Sequence, residues 1–206
     1  MLKRLWVISS LVLFSYTLSY AHGHASQPVD VLKKISATLD QKILVAEQKK
    51  GITPDFFKVL VRTVFLPNID VEVMSQQILG HRVWLRATQK ERAEFVHLFA
   101  QLIVQSYAHV AEHYTGHKIF FRRAAPVGAT QRFSEVRSVL VLPDGHHVIV
   151  NYLCVRVEGS WKVYDFTVDG VSFVDNYRAQ FSELVHKGGM QDLLKKLRRH
   201  TEKKSV

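Results

Sequence analysis

Cysteine is almost absent from this sequence: Cys154 is the single one among 206 residues. One thiol cannot form an internal disulfide, so the fold must be held by packing, which a chain of this length permits. Cys154 lies in the apolar run of residues 152–155, with no activating charge beside it. We therefore expect a buried, unreactive thiol rather than a nucleophile. The shortage of cysteine fits a bacterial periplasm better than a eukaryotic secreted protein.

Catalytic motifs are also missing. The sequence has no serine nucleophile elbow, no glycine loop for phosphate and no dinucleotide fingerprint. Asp165 and Asp169 could form an acid–base pair, but we interpret them as a cap and a turn where a strand leads into a helix. We predict a protein that is not an enzyme, with no catalytic residues. If it were one, Asp165 with Tyr107 or Tyr164 would be the candidates.

The histidines give little support for a metal site. Three of the eleven, His109, His113 and His117, recur every four residues near the end of a predicted long helix. A pair at this spacing binds zinc when a third ligand joins it. The adjacent glutamate of the zinc-protease pattern is missing, and His117 follows Gly116. We interpret these histidines as a solvated face and predict no metal and no cofactor.

Long hydrophobic runs are confined to the amino terminus. Lys3 and Arg4 precede an apolar run over residues 5–20, which ends in small residues. This is the layout of a secretory signal peptide. A membrane anchor, the alternative, needs roughly 20 consecutive apolar residues, whereas serine and threonine interrupt this run. We predict a cleaved signal peptide at residues 1–21, with a cut possible up to residue 25, and a single domain over 22–206.

What is present is a change of hydrophobic period. Helical spacing prevails up to Gly116, with a predicted cap at Thr53 and a capping box formed by Thr88 and Glu91. Alternating patterns then predict strands, and Gly188–Gly189 separates two closing helices. The predicted strands are centred on residues 119–121, 134–142, 148–157 and 161–168. The order predicts an α+β fold, with helices on one face of an antiparallel sheet of about four strands.

The formal net charge is +10, and basic residues cluster in a tail from about residue 195. Such a charge attracts anionic membranes, nucleic acid or acidic protein surfaces. No aromatic residues alternate with these basic ones, as binding to single-stranded nucleic acid would require. Together with the predicted export, this disfavours nucleic acid as a partner.

Residues 161–181 carry the most specific motif in the chain, WKVYDFTVDGVSFVDNYRAQF. This stretch resembles the MlaC (toluene-tolerance) family of periplasmic phospholipid-binding proteins, whose pattern is W-K-V-Y-D-V, a G-V-S segment and N-Y-R-x-Q-F. The similarity covers nearly the whole mature chain. Further matching residues are Leu79, Gly80, Trp84, Ala87, Thr88, Arg92, Phe95, Phe99, Tyr107, Gly189, Met190, Leu193, Leu194 and Leu197.

The resemblance implies a curved sheet with an apolar cavity between sheet and helices. It also implies a shuttle that maintains outer-membrane lipid asymmetry. The shuttle would move phospholipid between an outer-membrane lipoprotein–porin complex and an inner-membrane ABC transporter with an MCE-domain subunit. We expect a monomer. The alternative is a non-catalytic periplasmic adaptor that docks membrane complexes through its basic face.

Six residues are expected to contact the lipid tails, from the inner face of the long helix, one face of the sheet and the segment joining sheet to helix. They are Tyr107, Val110, Val150, Tyr152, Val171 and Phe173. Three basic residues are expected to dock acidic partners or anionic lipid: Arg178, Lys195 and Lys196.

Overall fold

A computed structural model describes residues 27–112, 118–122, 127–128 and 130–203, without the side chains of residues 107–112 and 203. The predicted signal peptide lies outside these ranges. Within them, the α-helices are Pro28–Gln48 (α1), Pro54–Leu60 (α2), Val71–Arg86 (α3), Gln89–Glu112 (α4) and Phe173–Lys203 (α5). A π-helical turn, Val61–Phe65, and a 3₁₀ turn, Leu66–Asn68, continue α2. None of the described helices is long and apolar enough to cross a membrane.

The described strands are Lys118–Phe121 (β1), Phe133–Val141 (β2), His147–Val157 (β3), Ser160–Val168 (β4) and Val171–Ser172 (β5). They form one antiparallel sheet in the order β1-β2-β3-β4-β5. The α+β prediction is confirmed, and the sheet has one strand more than the four predicted. The pattern could not indicate β5, because two residues are too few to show alternation.

Two-residue turns join the last three strands. Glu158 and Gly159 have φ of 49° and 79°, and Asp169 and Gly170 have φ of 47° and 85°. Positive φ at both central residues is typical of the type I′ turn, whose twist matches that of the strands. The Asp169 carboxylate also accepts a hydrogen bond of 2.9 Å from the Ile149 amide. This confirms the interpretation of Asp169 as a turn residue.

The predicted helix starts are confirmed. Thr53 Oγ1 accepts a hydrogen bond from the Phe56 amide at 3.1 Å. The Glu91 carboxylate accepts a hydrogen bond from the Thr88 amide at 2.8 Å, and the Glu91 amide donates one to Thr88 Oγ1 at 3.2 Å. These bonds satisfy backbone donors that a helix leaves free at its first turn.

Two glycines bend helices instead of only ending them. Gly80 (φ 72°) lies within α3 and Gly189 (φ 73°) lies within α5. Both have a positive φ, which residues other than glycine rarely adopt. Gly80 therefore produces a kink in α3, and helix continues beyond it to Arg86. The predicted break at Gly188–Gly189 is confirmed at Gly189.

Helices α3, α4 and α5 form a close-packed layer. An aromatic cluster runs through it: the Phe99 ring lies 5.3 Å from Tyr177 and 5.8 Å from Phe95, and Phe95 lies 5.9 Å from Phe181. Phe95 and Phe99 are fully buried. This layer is a core in its own right, and it supports one side of the space between helices and sheet.

Candidate functional site

An apolar cavity of about 270 Å³ is bounded by the sheet, by α1, by α2 with the π-helical and 3₁₀ turns that follow it, and by residues of the layer formed by α3, α4 and α5. Its volume is near the lower end of the range for small-molecule pockets, roughly 300–1,000 Å³. Among the described residues, no charged side chain lines it. The lining residues are Leu32, Ile35, Ser36, Leu39, Leu60, Val61, Phe65, Asn68, Ile69, Met74, Ile103, Ile119, Phe121, Leu140, Val150, Tyr152, Val163, Phe166, Val168 and Phe173.

Helix α1 forms one wall of the cavity. Leu32, Ile35, Ser36 and Leu39 recur at helical spacing and line the cavity. The amino-terminal end of α1 is anchored by Gln27, whose side chain bonds both backbone groups of Val127, at 2.7 and 3.3 Å. The helical spacing of Leu32, Ile35 and Leu39 is visible in the sequence, but it does not indicate that these residues border a cavity.

A π-helical turn forms the adjacent wall. Val61 and Phe65, the first and last residues of this turn, both line the cavity. π-Helical turns are rare and occur frequently at functional sites. A parallel bridge from Ile69 to Val163 and a 2.8 Å bond from the Asp70 amide to the Val163 carbonyl hold the end of this segment against the sheet.

The polar groups in the walls largely bond to the protein itself. Asn68 Nδ2 donates to the Val64 carbonyl at 2.7 Å. The Tyr152 side chain forms a hydrogen bond with that of Ser138, and burial raises the pKa of the Tyr152 phenol. Such a cavity accepts hydrocarbon and disfavours an ionised group, which would lose its hydration without gaining a partner.

Three of the six predicted tail contacts line this cavity. Val150 and Tyr152 project from β3 on the inner face of the sheet, as their alternation predicted, and Phe173 lies at the start of α5. The Phe173 ring is 4.8 Å from that of Phe166, a further lining residue. Their contact with a ligand stays a prediction.

Val171, which we predicted to contact the lipid tails, lies outside the cavity lining. Its side chain is 67% exposed. Val171 pairs with Val168 in β5, which is the edge strand of the sheet that the described residues form. Sequence alternation places Val171 on a face but cannot indicate that this face is uncovered at the edge.

The other two predicted contacts, Tyr107 and Val110, lie in the last part of α4, outside the residues whose side chains are described. Ile103, one turn before Tyr107, does line the cavity. Of the histidines considered for metal, His113 and His117 lie outside the described ranges, as does the side chain of His109. Among described residues, no group of three or more metal-binding side chains occurs.

Asp165 connects the sheet to α5. One oxygen of its buried carboxylate accepts the Val174 amide at 3.0 Å and the Phe166 amide at 2.7 Å, and the other accepts the Ser172 hydroxyl at 2.8 Å. Ser172 Oγ in turn accepts the Asp175 amide at 3.0 Å. The carboxylate therefore caps a helix whose positive end favours negative charge. This confirms the interpretation of Asp165 as a cap.

The predicted docking residues differ in their surroundings. Arg178 donates to the Gln77 carbonyl at 2.8 Å and to Asp175 at 2.6 Å, so it ties α5 to α3. Lys195 and Lys196 are exposed on the second half of α5. A docking role for these residues stays a prediction, and the sequence did not indicate the structural role of Arg178.

Cys154 is expected to be unreactive in the folded protein. Burial raises its pKa to about 12, so only about one thiol in ten thousand is ionised at pH 8. We expect no measurable reaction with a disulfide reagent such as DTNB under native conditions, and one equivalent in guanidinium chloride. Rapid labelling of the native protein would contradict the buried position.

Comparisons with known proteins agree with this architecture. Residues 33–199 match the family model described as MlaC protein. The intermembrane phospholipid transport system binding protein MlaC of Haemophilus influenzae is 24% identical over 199 residues, which cover 95% of this chain and 92% of that protein. The toluene tolerance protein ttg2D of Pseudomonas putida is 21% identical over 165 residues, covering 80% of this chain and 76% of that one.

A solved structure shares the fold. A phospholipid-binding protein from Ralstonia solanacearum, solved in complex with a phospholipid, superposes with a TM-score of 0.75 at 22% identity. The similarity covers 88% of this chain and 100% of the other.

Proposed function

Because this chain belongs to the MlaC family, we propose that it is a non-enzymatic periplasmic carrier that binds phospholipid. The observation that carries the proposal is the cavity between sheet and helices, which is lined by apolar side chains and, among described residues, by no charge. Two similar proteins support this proposal. The Haemophilus protein is named as the binding protein of a phospholipid transport system, and the Ralstonia protein was solved in complex with a phospholipid.

Acyl chains are the part of the lipid that such a cavity suits. Burying a methylene group is worth about 0.8 kcal/mol, so a chain of roughly 15 methylenes costs about 12 kcal/mol to expose to water. The headgroup would stay near solvent, since none of the described lining residues carries a charge that could pair with it.

In the cell, we propose that the carrier moves phospholipid between outer- and inner-membrane complexes. The cost of exposing a chain makes unassisted release into water slow, so transfer requires contact with an acceptor. The acceptors and donors would be the ABC transporter with its MCE-domain subunit and the lipoprotein–porin complex that the family resemblance implies.

The test is native mass spectrometry of the mature protein purified from bacteria, followed by organic extraction of any bound molecule. We expect an adduct of phospholipid mass at about one per chain. A protein that carries no lipid and takes none up from vesicles would contradict the carrier and favour the adaptor alternative.

A further inference from the structure

A second concave surface borders α1 and α2, and it uses a different face of α1 from the one that lines the cavity. This outer groove is lined by residues between 38 and 49, in α1 and its carboxyl-terminal cap, and between 56 and 63, in α2 and the π-helical turn that follows it. Leu60 belongs to both walls: it lines the cavity on one side and the groove on the other. Leu60 is the one described lining residue that the groove and the cavity share, and the groove is otherwise lined by different residues.

The outer groove has an apolar floor and exposed valines at its sides. Ala46 and Leu60 are buried at its base, while Val45 and Val59 are 42% and 53% exposed at its sides. The hydroxyl of Thr63, which also lines it, donates to the Val59 carbonyl of its own helix at 2.8 Å. Thr38 on the opposite side does the same, bonding the Lys34 carbonyl at 2.7 Å.

The charge of the outer groove has one sign. Lys42 and Lys49 line it, and among the described residues no acidic side chain does. Neither lysine forms an ion pair with a described residue. Asp40 and Glu47, which are exposed on the same helix, do not line the groove. An occupant that is both apolar and anionic would complement this surface.

The outer groove is concave, because Val45 and Val59 are exposed at its sides while Leu60 is buried at its base. A helix laid in a groove between two helices covers both the sides and the base of such a surface, whereas a flat bilayer covers mainly the sides. Lys42 and Lys49 are seven residues apart, about 10 Å along α1. That distance is two turns, and it matches two carboxylates seven residues apart on a facing helix.

We propose that the outer groove is a docking site for an acidic amphipathic helix of a partner protein. The partner helix would place an apolar stripe between Val45 and Val59 and two acidic side chains against Lys42 and Lys49. Each ion pair between an exposed lysine and a carboxylate is weak. The apolar stripe would therefore supply most of the affinity, and the charges would supply the specificity for an acidic helix. The proposal does not depend on what the cavity binds.

The probe is a labelled amphipathic peptide of about 15 residues, with leucines along one face and two glutamates seven residues apart at its edge. Its control carries glutamine at those two positions. Binding is measured by fluorescence anisotropy with the full mature protein. We expect the glutamate peptide to bind about tenfold more tightly than the control, and to weaken as salt is raised.

Protein variants locate the binding. Lys42→Glu with Lys49→Glu should weaken the glutamate peptide at least about tenfold and should gain binding of a peptide with lysines at those positions. Val59→Asp should weaken both peptides. Lys33→Glu changes an equally exposed lysine of α1 outside the groove and should change binding little. Bound lipid, measured by mass spectrometry in the same variants, should be unchanged.

Failure of the glutamate peptide to bind, or equal loss in the Lys33→Glu control, would overturn the proposal. So would a result in which the double lysine variant loses binding only to phosphatidylglycerol-containing vesicles, because the groove would then serve a membrane surface. Loss of lipid without any change in peptide binding would instead concern the cavity and the proposed carrier function.

Discussion

Replacement of Val150 by glutamate is expected to lower the phospholipid bound to the purified protein at least about tenfold. Val150 is buried on the inner face of β3 and lines the cavity. A carboxylate there would face hydrocarbon with no charged partner among the described lining residues, so binding an acyl chain would require the charge to be buried unpaired. Native mass spectrometry and phosphate analysis of the extracted lipid measure the effect.

Val171→Glu is the matched control, since it adds the same charge to a valine that is 67% exposed at the edge strand. It should leave both bound lipid and melting temperature close to those of the original protein. Val150→Phe is a second test, because it reduces the cavity volume without adding charge and should lower lipid binding while the protein stays folded. Full lipid loading of both Val150 variants would show that hydrocarbon is held elsewhere.

Replacement of Asp165 by alanine is expected to lower the free energy of unfolding by about 3 kcal/mol. The change leaves the amides of Phe166 and Val174 and the Ser172 hydroxyl without the carboxylate that accepts them. It also removes a negative charge from the positive end of α5. For a chain of this size, the melting temperature should fall by roughly 6–12 °C.

Asp165→Asn separates the hydrogen bonds from the charge. Both amide bonds go to the same oxygen, Oδ1, which asparagine retains. We therefore expect a smaller loss, about 1 kcal/mol, with bound lipid largely kept because Phe173 stays in place at the cavity wall. Thermal unfolding followed by circular dichroism measures both variants. An alanine variant as stable as the original would show that the carboxylate does not hold α5 to the sheet.

Two glutamates of α4 make the stability of the fold depend on pH. Hydrogen bonds from Thr88 lower the pKa of Glu91, and the Arg198 side chain lowers that of Glu94. A carboxyl group with a lowered pKa stabilises the fold above the ordinary glutamate pKa, and this contribution is lost as the pH falls through the lower, folded-state pKa. Both side chains are only partly buried and reach solvent, so the contribution is small and screened by salt.

The local features could be predicted from the sequence because each depends on residues close together in the chain. The caps at Thr53 and Thr88 involve partners three residues away, and the bend at Gly189 depends on the backbone freedom of one residue. The change from helical to alternating period at Gly116 likewise indicated the α+β class. The motif over residues 161–181 indicated the family that the comparison with known proteins confirms.

Only the tertiary structure decided which apolar residues line a cavity and which fill a core. Phe99 and Ile103 lie four residues apart on one face of α4, yet Phe99 is buried among aromatic rings and Ile103 borders the cavity. Val171 and Phe173 are two residues apart, and one is exposed while the other is buried. Hydrophobic periodicity indicates which face of a helix or strand a residue lies on. The cavity, by contrast, exists because of the distance between the sheet and the helices α1 and α3–α5. That distance is set by the packing of side chains remote in sequence.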